Sequence, residues 1–338
     1  MTDGHAIERL TCALRAWVCP MNSTSRLWDS ARERLVLGTW GLAGTAEASG
    51  RVLGYGHLSD GAAFSVFDSA WQFGIRWVDT ASGYGDGEGW CRLAAWHART
   101  GCRFHIAVKV GRPIRNGKPT SDLRKANILF ELQSVRDLLG TPEAVLIKDP
   151  PDDAFGPPLL DLLDQVSEVL PTVSVGIASH GRQVLDTLPL AQGHLLVEID
   201  YNGTNWPAAA PSASRMKAKH WNVWAVQPLA YGFLGRKYHR TSSFPADDWR
   251  SQMPPRIKEI LHDLSEGFLA QFSPFLDEVP PAACAIAFCL SDPNIDRVVV
   301  GPKTPGLLQD SSIALELAAD PSFRSAADRL RSTVIPVL

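Results

Sequence analysis

The chain has 338 residues, 45% of them hydrophobic, and a formal net charge of −3. It has no long basic run and no apolar run near the roughly 18 residues that span a bilayer, so neither a nucleic-acid nor a membrane partner is expected. The six cysteines, Cys12, Cys19, Cys91, Cys102, Cys284 and Cys289, form no CxxC pair and no metal-type spacing with histidine. They predict reduced, mostly buried thiols in a cytoplasmic protein without a metal site.

Residues 1–33 lack the pattern that follows. Their apolar patch, Leu10 to Val18, is interrupted by Arg15, and Asp3 and Glu8 precede it where a secretory signal would be basic. A flexible N-terminal extension is expected. The patterned sequence begins only near Arg34, which leaves Met21 open beside Met1 as a start.

From Arg34 onward, eight β-rich apolar runs alternate with helical stretches. The first four are Arg34–Trp40, Arg76–Ala81, Phe104–Val110 and Ala144–Asp149; the last four are Thr172–Ser179, Leu195–Asn202, Asn222–Leu229 and Arg297–Lys303. Near-continuous Val/Ile/Leu runs are what strands buried on both faces require. Between them, Ser121 caps a predicted helix ending at Gly140, with Leu129, Leu132, Val135, Leu138 and Leu139 on one face. Residues Pro157 to Leu170 repeat that pattern, and Arg215 to His220 read as the solvated face of a further helix. After the seventh run comes a polar loop over about 238–254, either a covering flap or a surface insertion. Two helices follow it, near Pro255–Phe272 and Pro280–Leu290, and Pro305 to Arg331 predicts two closing helices. Eight βα repeats over 34–338 predict a single α/β domain, a (β/α)8 TIM barrel. An open doubly wound sheet is disfavoured, because Gly38, Gly41 and Gly44 do not make GxGxxG.

Barrel chemistry sits at the C-terminal ends of the strands. There the sequence places Asp79, Lys109, Lys148, Asp149, Glu198 and Asp200 within or just after apolar runs. A charge near the barrel axis must be paired, and Asp79 with Lys109 satisfies both. Tyr84 beside that ammonium is expected to have a lowered pKa and to act as an acid–base.

The segment DTASGYGDGE (Asp79–Glu88) resembles the DTA-x-x-YG-x-x-E signature of the aldo-keto reductases. The likeness continues in order through AVKVGR (107–112), DLLGTPEAVLIKDPPD (137–152), SVGIAS (174–179), EIDYN (198–202), QPLAYGFLGRK (227–237) and VVVGPKTPGLLQDS (298–311). The third and fourth strands most resemble the branch containing fucose- and galactose-type aldose dehydrogenases. The resemblance implies an NADP(H)-dependent oxidoreductase interconverting an alcohol and a carbonyl on a small polar or sugar-like molecule. Tyr84 would be the acid–base, tuned by Lys109 and Asp79. Gly38, Thr39 and Trp40 would sit near the nicotinamide, and Trp40 near substrate as well. Pro228, Leu229, Ala230, Gly232 and Leu234 would wrap the pyrophosphate. Gly301, Lys303, Thr304, Asp310 and Ser311 would meet the adenosine end, where Lys303 suits a 2′-phosphate, hence NADP(H) over NAD(H); otherwise Lys303 is a solvated lysine.

The pattern also departs from that family. Lys148 stands where a catalytic His is expected, Ala178-Ser179 replaces a Ser-Asn pair, and Glu198 replaces a carboxamide-binding Gln. Leu307, Asp310 and Ser311 occupy the late adenine-binding positions. A second cation at Lys148 would favour the Tyr84 phenolate and alcohol oxidation, or would receive an anionic substrate; otherwise Lys148 pairs with Glu198 or Asp149 for charge balance. His180 either stands in for the missing His at the substrate or is an exposed loop residue. These departures keep two alternatives open: a non-redox epimerase, lyase or cyclase on the same barrel, or a non-catalytic cofactor-binding subunit.

Overall fold

The structure, a computed structural model, describes residues 31–333 apart from 49, 117, 155, 172 and 181–194. Most of the extension expected over 1–33, with Cys12 and Cys19, lies outside the described residues.

Eight parallel strands close into a barrel in sequential order. They are β1 (Leu35–Gly38), β2 (Trp77–Ala81), β3 (His105–Val110), β4 (Ala144–Lys148), β5 (Ser174–Ser179), β6 (Leu196–Asp200), β7 (Asn222–Val226) and β8 (Arg297–Val300). Each falls within one predicted run, shortened at one end or at both. β1 pairs with both β2 and β8, which closes the ring.

Residues two apart on a strand face the same way, and this alternation builds the interior in layers. Trp77 and Trp224 meet edge to face at the lower end, with the Arg297 guanidinium over Trp77. Val36, Ala107, Leu146, Ala178 and Leu196 fill the middle. One step further along the same strand faces come Asp79, Lys109, Lys148 and Glu198, so the layer above the apolar plug is charged. The larger apolar core lies outside the barrel, under helices such as Asp60–Phe73, Pro157–Val169 and the almost wholly apolar, buried Pro281–Leu290.

One helix starts later than its sequence predicts, at Lys125 rather than after Ser121. The Asp122 carboxylate binds Arg124 and Arg115, and its backbone carbonyl accepts from Asn127, so 121–124 stays outside the helix. Two short hairpins also went unpredicted, Ala46–Ala48 with Arg51–Leu53 and Ile114–Arg115 with Lys118–Pro119. Of the four described cysteines, Cys284 and Cys289 are buried, whereas Cys91 is exposed and Cys102 half-buried. No described helix is long and apolar enough to cross a membrane.

Candidate active site

A cavity of about 910 Å³ opens at the C-terminal end of the barrel. Its floor is the charged layer. Lys109 Nζ lies 2.5 Å from Asp79 Oδ1 and 2.8 Å from Glu198 Oε2, and donates to the Tyr84 hydroxyl at 3.1 Å. Tyr84 is aimed there by a tight loop. Gly85 has φ +61°, and a Cβ on it would stand 2.2 Å from the Ala43 carbonyl, so only glycine lets the loop fold back against the turn that follows β1.

This cluster holds two carboxylates against one ammonium, which corrects the expectation for Tyr84. Burial pushes the phenol well above its ordinary value, and Asp79 and Glu198 push it further; Lys109 opposes them without prevailing. Burial also works against the Lys109 ammonium, but the two carboxylates hold its pKa well above the ordinary value. Burial, with Asp79 beside it, pushes Glu198 up to about 7 despite Lys109 and Lys148.

Lys148 is not free to act as a second cation at Tyr84. Its Nζ pairs with Asp149 at 3.3 Å, and burial with nearby Lys109 lowers its pKa. Asp149 also receives Arg112 at 2.7 Å and the His180 backbone N–H at 3.3 Å. The His180 ring meets Asp200 at 2.9 Å. The rim above the floor is thus a chain of cations and carboxylates, with His180 within it at the cavity wall.

An aromatic wall faces that rim. Trp40 packs on Tyr55, Tyr84 and Trp249 at centroid distances of 4.9, 6.3 and 6.1 Å. Trp249 comes from the polar loop after β7, which docks on the first hairpin. Trp249 N donates to Gly54 O at 2.9 Å, and His57 N donates to Asp247 Oδ2 at 2.7 Å. Arg250 fixes this arrangement by bonding Asp248 and the Tyr231 carbonyl while stacking over Tyr55 and Phe244. The sequence leaves this loop as either a flap or a surface insertion, and Trp249, Tyr55, Tyr231 and Arg112 as wall residues were missed. A Trp in a polar loop was the one signal available for them.

The cavity continues past Pro228, Leu229 and Gly232 to Gly301, Lys303, Thr304 and Asp310. Gln227, Ala230 and Tyr231 adopt positive φ without being glycine, a strained run of the kind found at ligand-contacting loops. Lys303 donates to the Tyr55 carbonyl, and its pKa is lowered by burial and by nearby Arg250 and Lys237. Burial raises Asp310.

The structure therefore brings Gly38, Trp40, Asp79, Tyr84, Lys109, Lys148, Ser179, His180 and Glu198 to one cavity. Four predicted contacts do not reach it. Thr39 is buried and donates to the Asp79 carbonyl at 2.9 Å; Ala230 and Leu234 turn into the core; and Ser311 donates to the Leu307 carbonyl on the inner face of its helix.

A sequence model of the aldo/keto reductase family matches residues 34–331. No curated protein matches the chain significantly. Among solved structures, a glycerol dehydrogenase from Gluconobacter oxydans is similar with a TM-score of 0.70 at 21% identity, over 90% of this chain and 94% of that one. An aldo-keto reductase from Bacillus halodurans, in its holo form, is similar with a TM-score of 0.65 at 15% identity, over 89% of this chain and 93% of that one. At these identities the likeness is one of fold.

Proposed function

The chain belongs to the aldo/keto reductase family, and we propose that it interconverts an alcohol and a carbonyl on a small polar or sugar-like molecule with a nicotinamide cofactor. The observation that carries this reading is the Tyr84 hydroxyl, 3.1 Å from a Lys109 that is itself paired to Asp79 at the floor of an open cavity.

The residues present fit such a cofactor. Glu198 has a buried carboxylate oxygen, Oε1, with no hydrogen-bond partner, so the floor offers an acceptor to a carboxamide or a cationic ring. At the far end, Lys237, Lys303 and Arg250 outnumber Asp247 and Asp248, the balance a ribose phosphate would complete, which favours NADP(H). Asp310, on the same wall, would suit a ribose hydroxyl or adenine amine instead.

A bound nicotinamide gives or takes the hydride. The chain's own residues manage the proton and the position. Tyr84, kept as a phenol by burial and by its carboxylate neighbours, donates to a carbonyl oxygen and recovers its proton through Lys109. Lys148, with its side chain 21% exposed and steadied by Asp149, holds the substrate oxygen. Trp40 and Trp249 cover the apolar face of the substrate and exclude water. Titrating the purified protein with NADPH and NADH while following nucleotide fluorescence tests the reading. Binding of NADPH in preference to NADH, weakened by Lys303→Ala, is the expected result; failure of both to bind overturns it.

A further inference from the structure

Glu198 is 1% exposed, lines the cavity, and leaves Oε1 without a hydrogen-bond partner. Its other oxygen shares Lys109 with Asp79. With all three ionised, the floor carries one negative charge more than it has cations for. Lys148, the next cation on the barrel axis, is held by Asp149. Such a floor is complementary to a cation that arrives with the ligand.

The two redox forms of a nicotinamide cofactor share the same adenosine, ribose and phosphate groups. They differ by one positive charge on the ring. We infer that Glu198 makes this cavity select the oxidised, cationic form over the reduced, neutral one, and that uptake of the oxidised form expels a proton from Glu198. This rests on the nicotinamide reading above. It assigns Glu198 a role that a neutral side chain at the same place would not perform.

The surroundings narrow the proton to Glu198. The groups that face it are Asp79 and Tyr84 from β2 and the loop after it, Lys109 from β3 and Lys148 from β4. Its register partners on β5 and β7 are Ala178 and Trp224, which do not titrate. Gly38, Val36 and Val299 are what β1 and β8 bring to this part of the interior. Asp149, His180 and Asp200 lie at the rim and are held to one another. Asp79 has its ammonium at 2.5 Å, and burial pushes Tyr84 upward, away from neutrality. Burial and Asp79 bring Glu198 itself to about 7, so it is the floor group whose proton is exchangeable in the working range.

Calorimetric titration of the full chain with NADP⁺ and NADPH, from about pH 6 to about pH 8.5, tests this. Taking the ratio of the two dissociation constants cancels the titration of the shared phosphates. The expected result is a preference for NADP⁺ that grows about tenfold per pH unit while Glu198 is protonated in the NADPH complex and ionised in the NADP⁺ complex, then levels off. At about pH 6.5, NADP⁺ and not NADPH should release a proton, seen as a dependence of the binding heat on the buffer's ionisation enthalpy. In Glu198→Gln the ratio should lose its pH dependence and, at about pH 8, most of the oxidised-form preference, about tenfold or more. A ratio that is flat with pH in the native sequence overturns the inference without recourse to any variant. A pH dependence that survives in folded Glu198→Gln also overturns it. If neither form binds, the nicotinamide reading itself is what fails.

Discussion

Replacing Glu198 with Gln should flatten the pH dependence of folding stability and, at mildly alkaline pH, raise stability. The side chain is buried and the exchange is nearly isosteric, so packing is preserved and only the charge is lost. In the folded protein Glu198 is raised from 4.5 to about 7, chiefly by burial and then by Asp79. A carboxyl whose folded pKa exceeds its unfolded one binds its proton more tightly when folded. Its stabilising contribution is present below the unfolded value and is lost as pH rises through about 7. At about 1.4 kcal/mol for each tenfold in proton affinity, this contribution is about 3 kcal/mol. Lys109 keeps Asp79 at 2.5 Å in the variant, so the ammonium is not orphaned. Urea unfolding at about pH 5, 6, 7 and 8 should therefore show the variant near the native protein at the acid end and up to about 3 kcal/mol more stable at the alkaline end. The difference between the two proteins is the quantity to read, because titrating groups away from the floor contribute equally to both. A difference that does not change with pH refutes the assignment of this titration to Glu198.

Four further outcomes follow from the same geometry. Tyr84→Phe should lower kcat by about 10²–10⁴ while leaving cofactor affinity within a few fold, checked by steady-state kinetics beside nucleotide fluorescence. Lys148→Met removes a cation that holds Glu198 down, so the step in stability near neutral pH should move to higher pH; a profile that stays where it was would show that Lys148 and Glu198 do not interact. Gly85→Ala forces a Cβ against the Ala43 carbonyl at φ +61°, and should cost about 2 kcal/mol or more in thermal or urea unfolding as well as lowering activity through a displaced Tyr84. Tyr201→Phe removes the hydrogen bond from a buried hydroxyl to Asp292, neither of which lines the cavity, and should cost about 1.5–3 kcal/mol of stability with kcat unchanged.

What could be read from the sequence was what depends on one strand at a time. Runs such as 144–149 are apolar because both faces of a barrel strand are covered, and Lys109 stood out because a lone ammonium in such a run demands a partner. What could not be read depends on elements that meet only after folding. Two cations were legible near Tyr84, but the burial of its hydroxyl, with Asp79 and Glu198 from separate strands adding to it, outweighs Lys109 and reverses the direction of the tyrosine's shift. Trp249 reaches Trp40 where bonds from Trp249 N to Gly54 O and from His57 N to Asp247 join the loop to the first hairpin, a path its polar composition does not encode. The cap expected at Ser121 lost to the neighbouring Asp122, whose bonds to Arg124 and Asn127 hold the segment short of the helix.

Lys148 and Glu198 are best understood together, as one cation and one anion lining the same cavity. Both are the next inward-facing residues above the apolar plug, and Ala178 is the register partner of each, a side chain small enough to leave the space between them open. Each acts on the other: Lys148 lowers Glu198, and Glu198 raises Lys148. Lys148 has Asp149 as its own partner, whereas Glu198 shares Lys109 with Asp79 and keeps one oxygen unpartnered, so the charge left over on the floor is negative. The unmatched charge of Glu198 therefore stands at the cavity floor beside the Lys109–Asp79 pair, where it acts on the charge of a ligand.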